Sequence, residues 1–264
     1  MEFDEFLKEA TVLLGLQWRP FHRRGIKRKV ERRVAETGVS GFEEYLLKVK
    51  KDSEEQLLLS KILKVTISRF YRDKEVFDTL GLSIVPDLLK EDNTELKIWC
   101  IGCASGEEPY SLALLWQEEF GRTWPEVHFS ILATDLDENL LERAKEGIYK
   151  NSSLREVSEG IVKNFFKKEG EFYILDQTIR ERVEFKKHDI LHEEPFLGMD
   201  IALCRNLAFT YFSKESQIEV LRKMVTSLRE KKYLVIGKDE ILPLTYPTLF
   251  VPVFPNEKIY EKFS

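Results

Sequence analysis

The stretch IWCIGCASGEEPYSLALLW, residues 98–116, decides the fold. It reads as a buried strand, a turn of small residues, two acids, a proline and then an apolar helix. Pro109 suits the first helical turn, where its missing N–H is not needed. A strand, glycine turn and helix in this order open the sheets that bind nucleotides. A turn that cradles phosphate offers bare backbone N–H groups and avoids negative charge. Here Glu107 and Glu108 stand at the mouth, and GCASGEEP is not a G-x-G-x-x-G sequence. The turn therefore suits a ligand that carries positive charge. A plainer use of either acid is to favour the helix N-terminus electrostatically.

On either side of this stretch the periodicity differs. Apolar residues recur at helical spacing in FDEFLKEATVLLGL (3–16), FEEYLLKVK (42–50) and EEQLLLSKILKVTI (54–67), so residues 1–80 are expected to be helical. KEVFDTLG continues that pattern, with Gly81 as its expected end and 81–95 as a linker. From residue 96 strands alternate with helices: LKIWCIGC, VHFSILATD, DIALCRN and KKYLVIGK are the strands, and the last is followed by a terminal hairpin in TLFVPVFPNEKIYEKF. The alternation predicts an α/β domain over 96–264 with a parallel sheet wrapped on both faces. Residues 147–190 hold a helix near EGIVKNFF and short strands at EFYIL and RVEFKKHD.

Ligands of such sheets bind beyond the carboxyl ends of the strands. That rim collects Gly102, Gly106, Glu107 and Glu108 after the first strand and Asp135 and Asp137 after the second. Asp189 follows RVEFKKHD, and Arg205 and Asn206 follow DIALCRN. Asp135 occupies the place of the acid that holds both ribose hydroxyls, and a carboxylate can accept both. Asp189 can bond an adenine amino group. An adenosine without phosphate, carrying a sulfonium and an ammonium, satisfies the whole set; S-adenosylmethionine is that molecule. Its carboxylate needs a donor, and an arginine is the natural one.

Composition agrees with a protein of this kind. The 264 residues are 43% hydrophobic and 33% charged, enough for a core. No apolar run reaches the roughly 18 residues of a membrane span, and MEFDEFLKEA lacks the apolar centre of a secretory signal. Cys100, Cys103 and Cys204 all lie in or beside apolar strands, which favours a reducing, cytoplasmic location. The Cys100–Cys103 spacing without a second ligand pair reads as two packed thiols, so no metal is expected. Net charge is −5, yet residues 19–33, RPFHRRGIKRKVERR, hold eight Lys or Arg against Glu31 alone. This is either a solvated helix face or a docking surface for an acidic partner. In a chain acidic overall, nucleic acid is not the expected partner.

Four blocks, FYRDKEVFDTL (70–80), GCASGEEPYSLAL (102–114), ILATDLDENLLERAKEGIY (131–149) and LCRNLAFTYF (203–212), resemble the signatures of the CheR-type chemotaxis receptor methyltransferases, in the same order. The resemblance implies a helical N-terminal domain, a linker, a class I methyltransferase sheet with a small β insertion near 160–190, and methylation of protein glutamate. Carried over position by position, it implies cofactor contacts from Thr66, Ser68, Arg72, Glu107 or Glu108, Asp135, Asp189 with Ile190, and Arg205 with Asn206. Arg72 supplies the arginine that the cofactor's carboxylate requires; locally it could also pair with Asp73 or Glu75. Arg205 and Tyr211 are the candidates to orient the acceptor. The block carries one residue more than usual between Asn206 and Tyr211, and REKKYLVIGKDEI (229–241) stands where KPGGYLxxGHSE is common.

The implied chemistry needs no general base, because glutamate, with a pKa of about 4.3, is ionised at neutral pH. S-adenosylhomocysteine would be the product. Two other readings stand beside it: transfer to a different protein or a small acid, and a non-catalytic sensor of S-adenosylmethionine.

Overall fold

The computed structural model describes residues 1–17, 24–64, 68–90, 94–243 and 249–263. The chain divides into two compact units, Met1–Thr66 with Thr210–Ile218, and Ile67–Phe209 with Glu219–Ser264.

The first unit holds helices α1 (Phe3–Leu13), α2 (Arg24–Glu36), α3 (Phe42–Lys51) and α4 (Ser53–Leu63). Its core is one apolar stripe from each helix: Phe6, Leu7 and Ala10, Ile26 and Val30, Tyr45 and Val49, and Leu59 and Leu63. Asp52 caps α4 by accepting from the N–H groups of Glu54 and Glu55. Glu55 is buried at the centre. The Arg33 guanidinium grips it through Nε at 2.8 Å and Nη2 at 2.7 Å, and the Tyr45 hydroxyl donates to it at 2.6 Å. The later segment closes this unit: Gln17 N donates to the Tyr211 carbonyl at 2.8 Å, and Leu16 and Phe212 form an antiparallel bridge.

The second unit opens with α5 (Lys74–Thr79), a π-helical turn over Leu80–Ile84 and α6 (Val85–Leu89). The expected linker at 81–95 is thus largely helical, and Gly81 does not end the helix. A Cβ at Gly81 would stand 3.1 Å from a Leu115 methyl, so this glycine serves close packing. Leu80, Ile84, Val85, Leu88 and Leu89 are all buried and carry the helical stripe onward.

Then come β1 (Glu95–Ile101), α7 (Glu107–Glu119), β2 (His128–Asp135), α8 (Glu138–Glu146), β3 (Ile148–Lys150), α9 (Glu159–Phe165), β4 (Phe166–Glu169), β5 (Phe172–Leu175), α10 (Gln177–Arg180), β6 (Val183–Lys187), β7 (Met199–Cys204), α11 (Ala208–Tyr211), α12 (Lys214–Ser227), β8 (Leu228–Ile236), β9 (Phe250–Phe254) and β10 (Ile259–Lys262). The main sheet has the order β6-β2-β1-β7-β8-β10-β9. Its first five strands run parallel, and β10 and β9 add an antiparallel hairpin. Numbered within the sheet alone, this is 3-2-1-4-5-7-6. The order reverses between β1 and β7, which places the ligand crevice at their carboxyl ends. β7 is buried at every residue, as befits a strand covered on both faces.

A second, antiparallel sheet has the order β3-β5-β4. Its strands lie between residues 148 and 175, whereas the RVEFKKHD segment forms β6 and pairs with β2 in the main sheet, Asp135 opposite Lys187.

Candidate functional site

The turn after β1 is built for close approach. Gly102, Ala104 and Gly106 all take positive φ, at 75°, 51° and 89°. A Cβ on Gly102 would fall 2.6 Å from Leu207, and one on Gly106 would fall 2.9 Å from Ala144. The N–H groups of Gly102 and Cys103 both donate to the Thr134 carbonyl, at 2.8 and 3.0 Å. Asp135 completes the junction. Its Oδ2 accepts from Ala104 N and its Oδ1 from Asp137 N, each at 2.9 Å. The carboxylate is thereby held at the rim, half-exposed.

Glu107 and Glu108, adjacent in sequence, differ in structure. Glu107 is buried, and both its oxygens face serine hydroxyls: Ser105 Oγ at 3.0 Å from Oε2 and Ser153 Oγ at 3.4 Å from Oε1. Glu108 turns toward Arg205, whose Nη1 donates to Oε2 at 3.0 Å. Burial raises the proton affinity of Glu108 above the usual carboxylate range, and the Arg205 charge opposes that rise.

Arg205 is itself enclosed, with 2% of its side chain exposed. Its Nη2 donates to the Arg72 carbonyl at 2.8 Å and to Asp73 Oδ2 at 2.7 Å. Its Cζ lies 5.7 Å from the Phe77 ring centre. The local pairing partner offered to Arg72 by the sequence, Asp73, thus turns its carboxylate to Arg205. The turn that carries Arg72 is strained, with Tyr71 at φ 50° and Asp73 at φ 58°. Tyr71 N donates to Ser111 Oγ at 2.8 Å, and Ser111 Oγ donates to the Glu107 carbonyl at 2.6 Å.

On the far side, Asp189 accepts from Leu191 N at 3.0 Å and contacts His192 Nδ1 at 2.8 Å, while Ile190 is buried. Lys223 holds this loop by donating to the carbonyls of Ile190, Leu191 and Glu193. Asn206, at φ 57°, gives its N–H to the buried Glu240, which also accepts from Gly237 N at 2.6 Å.

The second unit therefore brings Arg72, Gly102, Glu107, Glu108, Asp135, Asp189, Ile190, Arg205 and Asn206 to the strand ends. Ser68 is half-buried ahead of the strained turn. Thr66 lies outside the described residues, and Tyr211 belongs to the first unit. Sequence reasoning passed over Ser111, Lys223 and Glu240. For Glu240 a signal existed, since GKDE follows β8 at the same rim; for Ser111 and Lys223, helix residues with no local pattern, there was none. Cys100, Cys103 and Cys204 are buried free thiols whose pKa values burial pushes up. Among the described residues no cluster of His, Cys, Asp or Glu is arranged to hold a metal, and no helix is long and apolar enough to cross a membrane.

The profile of a family described as CheR methyltransferase, SAM binding domain, matches residues 66–258. The chemotaxis protein methyltransferase of Listeria innocua is 31% identical over 230 residues, covering 86% of this chain and 85% of that protein. The chemotaxis protein methyltransferase of Borreliella burgdorferi is 29% identical over 228 residues, covering 79% and 80%. A solved SAM-dependent methyltransferase from Methanosarcina mazei is 16% identical with a TM-score of 0.35, covering 68% of this chain and 78% of that one.

Proposed function

The chain belongs to the CheR methyltransferase family and is an S-adenosylmethionine-dependent methyltransferase; on that premise we propose that it methylates glutamate carboxylates in an acidic protein segment, as part of chemotactic signalling in the cytoplasm. One observation carries the choice of acceptor. Helix α2 exposes Lys27, Arg28, Lys29 and Arg32 on an acidic chain, and an acidic segment is the partner that such a face attracts. A small acid would need no such face. The three buried thiols suit a reducing compartment.

The donor set fits the cofactor. Acids at the turn disfavour a pyrophosphate, and the glycines leave no space for a Cβ where the backbone closes in. Asp135 would hold the ribose hydroxyls; a carboxylate offers about four acceptor sites, so backbone anchoring and hydroxyl binding are compatible. Glu108 would accept from the ammonium, because Glu107 is committed to two serines while Glu108 gives Oε2 to Arg205 and keeps 16% of its side chain exposed. Arg72, together with Ser68, would hold the methionine carboxylate, and Asp189 with Ile190 the adenine. Thr66 and the pair Arg205 and Asn206 complete the carried-over contacts, and Tyr211 remains the group proposed to orient the acceptor.

When bound, S-adenosylmethionine supplies a methyl group on a sulfonium, which an ionised glutamate attacks without a base. The protein's part is alignment, worth about 7–11 kcal/mol at best. Labelling of a lysate with tritiated methyl cofactor tests this reading. Carboxyl methyl esters release methanol in base; base-stable label on the protein fraction, or label on small acids alone, would refute it.

A further inference from the structure

We infer that Arg205 is a positioning residue that clips the 71–73 turn to the head of α7 and, through that turn, sets Arg72. The inference rests on the proposed pairing of Arg72 with the cofactor's carboxylate. It assigns Arg205 a task different from orienting the acceptor.

Three acceptors from two chain segments meet on this guanidinium. Nη1 serves Glu108 in the first turn of α7, and Nη2 serves both the Arg72 carbonyl and the Asp73 carboxylate. Nε is buried without a partner among the described residues. With 2% of the side chain exposed, Arg205 presents almost no surface to an acceptor carboxylate. A guanidinium presents its donors in a fixed fork, which is what holding a carbonyl and two carboxylates in register requires.

The clipped turn needs holding. Tyr71 and Asp73 both sit in the left-handed region, which a bulky residue such as tyrosine rarely enters. Such strain persists only where the surroundings over-determine it. Here they do so from two sides: Ser111 takes the Tyr71 N–H, and Arg205 takes the next carbonyl and the next carboxylate. Both holds are made by residues of the sheet unit itself, so the turn is fixed to the rim that it serves.

Asp73→Asn tests the clip with the fold preserved. Asparagine tolerates positive φ, matches aspartate in size and removes only the charge. In the full chain, calorimetric titration with S-adenosylhomocysteine should show an affinity about tenfold lower, the loss of a charge-assisted bond. Hydrogen exchange at the amides of residues 71–76 should accelerate. Arg72→Ala should also weaken binding, and in that background Asp73→Asn should cost less than about twofold more, because its effect passes through Arg72. Arg205→Lys should recover only part of what Arg205→Gln loses. An Asp73→Asn loss that stays undiminished in the Arg72→Ala background would overturn the inference. So would an unchanged affinity in Asp73→Asn while Arg72→Ala binds weakly. If Arg72→Ala itself binds normally, the proposed role of Arg72 fails, and the inference fails with it.

Discussion

Asp135 Oδ2 lies 2.9 Å from the backbone nitrogen of Ala104, so the carboxylate that ends the second strand is bonded into the turn that ends the first. Ala104 sits at φ 51°, and this bond is one of the contacts that hold it there. Asp135→Ala therefore removes the ribose acceptor and loosens the turn together. The affinity for S-adenosylhomocysteine should fall by about 1.5–3 kcal/mol, measured by calorimetry. Unchanged affinity would take Asp135 out of the site.

Glu108 makes cofactor binding pH-dependent. Burial raises its pKa above the ordinary value of about 4.3, and the ionised form is the one that attracts an ammonium. Affinity should be highest near neutral pH and decline as the pH falls through that raised value, before ordinary carboxylates titrate. Titrations from neutral pH downward should show the decline in the parent chain and a flatter profile in Glu108→Gln. Identical profiles would assign the dependence elsewhere.

Charge reversal on α2 separates docking from cofactor binding. Arg28, Lys29 and Arg32 are exposed, and Arg32 lies 3.6 Å from Glu36. Replacing all three with glutamate should raise the KM for the protein acceptor several-fold and leave S-adenosylhomocysteine affinity as it was. In the parent chain, KM should rise with salt, because exposed charges are screened within roughly 8–10 Å. Equal acceptor kinetics in the two chains would reduce this face to a solvated one.

Within the helical unit, Glu55 is the acid-sensitive group. The Arg33 hydrogen bond, with help from Tyr45, holds its carboxyl below the usual range. A depressed carboxylate stabilises the fold above its unfolded pKa, about 4.3, and loses that contribution as pH falls through the lower folded value. Glu55→Gln should cost about 2–3 kcal/mol at pH 7. That is less than the roughly 3–5 kcal/mol for breaking a fully buried pair, because Arg33 retains 27% exposure. The difference from the parent should shrink as the pH drops below about 4, followed by thermal unfolding.

The sheet was readable because its strands are apolar runs ended by glycine and acid, and because ligands of such sheets gather at one rim. The acids Glu107, Glu108 and Asp135 were visible for the same reason. What escaped notice depends on distance in space. Asp73 and Glu108 meet on Arg205 from 132 and 97 residues away in the chain, and no local spacing announces it. The boundary at Gly81 misled for a physical reason: a glycine that ends a helix and one that admits a neighbouring leucine look alike in one dimension. A chain beginning at residue 91 would lack Phe70, Phe77, Leu80 and Ile84, all buried, and should fail to fold.

The first unit has a consequence for synthesis on the ribosome. Its four helices are complete by residue 64, but the segment that bridges Leu16 and bonds Gln17 begins at Thr210. From Thr66 to Thr210 the ribosome must add 144 residues. At about 5–20 residues per second, that takes roughly 7–30 s. Through that interval the helical segments have been made while Phe212, the buried partner of Leu16, has not. A unit whose helices precede the sheet in sequence is thus completed only after most of the sheet has been made.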